Sequence, residues 1–124
     1  MFRSRRLAAV LVPGFLVAAC AGTLHVYATP LSPAEGIFLI PALLTAAERQ
    51  GYRAWRNPSG MVVELPAGVY AGWERSMNDS AFELHITLPD TPEAEQPARF
   101  AATKAIMDNI WAAAVEARRQ SVTR

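Results

Sequence analysis

The segment between Tyr52 and Leu88 constrains the fold most, because it alternates apolar and polar residues and is broken at intervals by turn residues. Phe82, Leu84, Ile86 and Leu88 alternate with Glu83, His85 and Thr87, the period-two pattern of a strand with one buried and one solvated face. Upstream, Asn57-Pro58-Ser59-Gly60, Pro66-Ala67-Gly68 and Ser76 to Asp79 carry turn chemistry, so the segment reads as four short antiparallel strands. Loops of four, three and four residues pair Arg56 with Met61, Leu65 with Val69, and Arg75 with Ser80. In that register Met61, Val63, Leu65, Val69, Ala71, Trp73, Phe82, Leu84 and Ile86 share one face, with Tyr52 and Ala54. A slip of one residue would turn all of them to water.

Helices flank this meander. Ser32-Pro33-Ala34-Glu35 is a capping box with proline at the first helical position, and Gly51 ends the helix it starts. Pro41 predicts a kink or a late start, since an interior proline removes a backbone hydrogen bond. A second helix is expected from near Thr91-Pro92 to about Arg119, with Pro97 as another possible start and Phe100, Met107, Ile110, Trp111 and Ala114 at helical spacing. The expected fold is α+β: a four-stranded antiparallel meander with an N-terminal and a C-terminal helix packed on one face, in a single domain over residues 32–124. A chain of 124 residues has room for one such unit.

The amino terminus reads as an address. Arg3, Arg5 and Arg6 precede an uncharged run from Leu7 to Ala19, the layout of a signal peptide over residues 1–19. At about 1.5 Å per residue the run is shorter than a hydrocarbon core of about 30 Å. It ends in Val17-Ala18-Ala19-Cys20, with the only cysteine of the chain. That sequence resembles the lipobox of bacterial lipoprotein precursors. The resemblance covers the first twenty residues or so and implies cleavage before Cys20, acylation of Cys20 and a lipid-tethered chain in the cell envelope. With Ala21 following the cysteine, it also implies the outer membrane, facing the periplasm. Residues 20–31 then form the lipidated cysteine and a tether, although the alternation of Leu24, Val26 and Ala28 is also that of a strand. Ala19-Cys20-Ala21 fits ordinary signal peptidase as well, which would release a secreted chain starting at Gly22, and an uncleaved anchor is a third option.

Charge and motif content exclude several classes. A formal net charge of +1 provides no basic footprint for nucleic acid. His25 and His85, with no clustered acids, make no metal site, and the scattered glycines make no phosphate cradle, so no cofactor is expected. No catalytic residue is assigned: the serines occupy the leader, a cap, turns and the tail, and Glu74 with Glu83 reads as a solvated pair. The register leaves Arg53, Glu64, Tyr70 and His85 side by side on the wet face, beside a row of Trp55, Val62, Gly72 and Glu83. Arg53, Trp55, Glu64, Tyr70 and His85 are therefore the candidate binding residues, on a platform for an envelope protein, peptide or glycan. The function expected is a non-catalytic, membrane-tethered binding or assembly module. The alternatives are a small envelope enzyme or enzyme inhibitor, and a carrier of a hydrophobic ligand held between the first helix and the sheet.

Overall fold

A computed structural model describes residues 22–122 and, as backbone, residues 2–6. The leader from residue 7 onward and Cys20 lie outside the described residues.

The chain is α+β, with an antiparallel sheet and two helices on one of its faces. Its strands are β1 (Phe2–Arg6), β2 (Thr23–Ala28), β3 (Arg53–Asn57), β4 (Gly60–Leu65), β5 (Val69–Arg75) and β6 (Phe82–Leu88). Helix α1 spans Pro33–Arg49 and α2 spans Gln96–Val122. Strands β3 to β6 form the expected meander, and the sheet continues through β2, so the order is β1-β2-β6-β5-β4-β3.

The four-stranded expectation is corrected by β2. Residues assigned to the tether are a strand running antiparallel to β6, with His25 opposite Ile86 and Val26 opposite His85. Without β2, the whole edge of β6 would leave its backbone groups unpaired beside the core. The Thr29 hydroxyl donates to the Phe82 carbonyl at 2.8 Å and fastens the far end of the strand. From there the chain crosses the sheet face in α1 and reaches β3 at the opposite edge.

Helix α1 begins as its sequence dictates. The Ser32 hydroxyl accepts from the Glu35 amide, and the Glu35 carboxylate accepts from the Ser32 amide at 2.9 Å. These bonds hold the Glu35 carboxyl below its ordinary range. The helix continues through Pro41, whose side chain is exposed, so a late start there is excluded. Gly36, Leu39, Ile40, Leu43, Ala46 and Ala47 form its buried stripe, whereas Ile37 and Phe38 fall outside it. Helix α2 takes the later of its two possible starts, after a single 3-10 turn at Glu93–Glu95, and buries Phe100, Thr103, Met107, Ile110 and Ala114.

Two of the three hairpin registers are as expected. Arg56 pairs with Met61 and Leu65 with Val69. The Asn57 side chain shapes the first turn by accepting from the Ser59 and Gly60 amides at 3.1 and 2.7 Å. In the second turn both Ala67 (φ 64°) and Gly68 (φ 76°) are left-handed, where a single left-handed glycine was expected. A Cβ is disfavoured there, so Ala67→Gly should stabilise the protein by about 0.5–1 kcal/mol, read as a raised melting temperature.

The third register is shifted by two residues. Arg75 pairs with Phe82, not Ser80. Ser80 and Ala81 belong to a longer turn, in which the Ser76 hydroxyl accepts from both their amides and Asp79 is left-handed (φ 57°). A shift of two preserves which face each side chain occupies. Met61, Trp73 and Leu84 therefore still point at the helices, as does the row of Val63, Ala71 and Ile86.

His25 extends the latter row. It is buried on the helix side of β2, its ring stacked on Phe100 at 3.4 Å between centroids. Burial pushes its imidazole below the ordinary value of 6.5. The fold thus favours the neutral ring, and the associated stability is fully present above the unfolded-state value and lost as pH falls through the lower folded one. The melting temperature should decline between about pH 7 and pH 5, and His25→Asn should make that decline shallower than in the wild type.

Candidate functional site

Because both described helices lie on one face, none of the described helices covers the opposite face of β3 to β6. Antiparallel pairing aligns its side chains in rows across the strands. Arg53, Glu64, Tyr70 and Thr87 form one row; Trp55, Val62, Gly72, His85 and Val26 form the next.

Four of the five sequence-predicted binding residues come together here. Arg53 and Glu64 are directly opposite, with guanidinium nitrogen and carboxylate oxygen 3.7 Å apart. Trp55 and Tyr70 meet edge to face at 6.5 Å across β4, and the Arg53 guanidinium lies 6.0 Å from the Trp55 ring. The rings are 40% and 43% exposed, far more than aromatic core residues such as Trp73 and Phe82. Aromatic rings fixed edge-on, flanked by one cation and one anion, offer apolar area and oriented hydrogen-bonding groups at small entropic cost.

His85 is not beside Tyr70. The two-residue shift between β5 and β6 moves it into the Trp55 row, beyond Val62 and Gly72, and Thr87 takes the place expected for it. Its Nε2 is 3.2 Å from Glu83 Oε1 and its Nδ1 is 3.7 Å from Glu74 Oε1. Those carboxylates stand opposite each other on adjacent strands, an arrangement that is repulsive on its own. The imidazole between them is thus accounted for by the sheet itself. Ser76 and Ser80 spend their hydroxyls on Asn78 and on each other within the turn, and serve no histidine.

Sequence reasoning missed one feature on the helix side. The start of α1 and the second half of α2 enclose an open apolar groove of about 590 Å³, lined by Leu31, Phe38, Leu39, Trp111, Val115 and Arg118 among others. Phe38 is 69% exposed, and Arg118 reaches over its ring at 4.9 Å to donate to the Phe38 carbonyl. The available signal was that Ile37 and Phe38 are large apolar residues out of phase with the buried stripe of α1.

No family model matches this chain, and no curated protein or solved structure shows significant similarity to it. Among the described residues, no group of three or more His, Cys, Asp or Glu side chains is placed to hold a metal ion. None of the described helices is long and apolar enough to cross a membrane.

Proposed function

We propose that the chain is the precursor of an envelope lipoprotein, anchored through Cys20, whose domain is a non-catalytic binding module presenting the sheet face opposite α1 and α2. The observation that carries the proposal is the Trp55–Tyr70 pair, solvent-exposed and held edge-on between Arg53 and Glu64. A protein, peptide or glycan surface would stack on the two rings and hydrogen-bond to the flanking charges. Arg3, Arg5, Arg6 and the lipobox-like Val17 to Cys20 supply the case for the anchor.

Replacing Trp55 and Tyr70 together by alanine should abolish a specific cross-link from a photoreactive residue at Thr87, in the same row opposite Tyr70, to its envelope partner. The stability loss should stay near about 1 kcal/mol, the scale of a cross-strand pair. A large fall in melting temperature with the cross-link intact would make these rings structural and contradict the proposal. The apolar groove favours a second reading, carriage of a single-chain amphiphile with its acidic head at Arg118. Copurification of such a lipid, lost in Phe38→Glu, is the result it requires.

A further inference from the structure

Strand β3 ends the sheet: β4 pairs with one side of it, and no described strand lies beyond the other. In an antiparallel ladder the residues turn their N–H and C=O groups alternately to either side, so one set in β3 faces outward with no described strand to meet it. The strand reads Arg-Ala-Trp-Arg-Asn, with two cations and no acid, and Arg53, Trp55 and Arg56 are exposed. Arg53 and Trp55 stand on the platform side, opposite Glu64 and Val62. Arg56 is opposite the buried Met61 and flanks the edge on the helix side.

Both cations are open to a partner. The Arg53 side chain is 79% exposed, and its one acid, Glu64 at 3.7 Å, leaves further guanidinium donors facing water. Arg56 is in no ion pair with a described residue. Two arginines keep a copy of the same strand away from the edge, since they would meet other arginines there. The same charges make the edge selective for a strand of opposite charge. They stand three residues apart and on opposite sides of the sheet, so only an extended chain with acids at that spacing meets both.

We infer that the partner of this module docks through an acidic, extended peptide segment that adds antiparallel to β3. The inference rests on the binding-module reading and names the chemistry of the partner. From its amino end the added strand reads acid, apolar, any residue, acid, facing Arg56, Trp55, Ala54 and Arg53 in turn. Backbone hydrogen bonds along the edge supply the attraction common to any strand, and the two ion pairs with the Trp55 contact select the sequence. A peptide fits and a glycan does not, because a glycan has no row of alternating N–H and C=O groups to match the edge. The added strand also extends the platform, setting one acid beside Arg53 and one apolar side chain against the Trp55 ring.

The test uses the full-length chain, expressed in a two-membrane bacterium with isotope labelling and purified in neutral detergent. The probe is the capped peptide acetyl-Thr-Glu-Val-Thr-Glu-Thr-amide, followed by amide chemical shifts. The expected result is a saturable shift centred on Arg53 to Asn57. Of two versions of the peptide N-methylated at alternate residues, one should bind and the other should not, because only one set of its amides faces β3. Arg56→Glu should weaken binding about fivefold or more with circular dichroism unchanged, and a peptide with Lys in place of its first Glu should restore it. Equal binding of both N-methylated peptides would reduce the contact to charge attraction and overturn the inference. So would shifts that leave β3 unmoved. No β3 shift in a protein whose Thr87 cross-link still requires Trp55 and Tyr70 would overturn strand addition and leave the platform standing. Loss of both results would overturn both readings.

Discussion

Trp73→Ala is expected to lower stability by about 3–5 kcal/mol, the cost of emptying a buried aromatic site. Trp73 is 2% exposed, in the row of Met61 and Leu84, and lies 5.6 Å from the Trp111 ring of α2. Its side chain is thus the joint between the middle of the sheet and the second helix. For a domain whose total stability is about 5–15 kcal/mol, the loss should lower the melting temperature by on the order of 20 °C. Thermal unfolding by circular dichroism checks this; a drop of only a few degrees would mean that Trp73 is not the joint.

Gly36→Ala should destabilise by about 2 kcal/mol, although the same change at an exposed helical site stabilises by about 0.5–1 kcal/mol. Packing overrides propensity here because a Cβ at residue 36 would stand 2.2 Å from the Phe82 ring at Cγ. The near end of that ring is tied to the backbone of a fully buried residue and cannot swing aside. The first turns of α1 must therefore lift from β6. Gly36→Ala combined with Phe82→Leu should recover part of the loss, and a double-mutant cycle read by denaturant unfolding reports the coupling. Additive losses would show that residues 36 and 82 do not touch.

What was legible in the sequence was local. The capping box of α1 and the turns at Asn57–Gly60 and Pro66–Gly68 are each built from side chains within a few residues, so the start of α1 and two registers followed from them. The third register depended on how many residues the turn after Arg75 would absorb. Hydrogen bonds that the Ser80 and Ala81 amides donate to the Ser76 and Asn78 side chains decided that, and turn composition alone does not count them. The face assignment survived and His85 moved, which is why Arg53, Trp55, Glu64 and Tyr70 form a cluster without it.

Strand β2 was legible only as an alternation. Its claim to be a strand comes from the edge of β6, which is distant in sequence. The groove beside Phe38 was hidden for a similar reason, since its walls come from α1 and α2, which are distant in sequence.

The central claim is that this domain works tethered to a membrane through Cys20. Intact mass and membrane fractionation of the full-length protein beside Cys20→Ser, expressed in a two-membrane bacterium, test it most directly. The account predicts a wild type that has lost residues 1–19, carries acyl chains and sediments with membranes, and a variant with no acyl groups. A soluble, unacylated wild type beginning at Gly22 would contradict it.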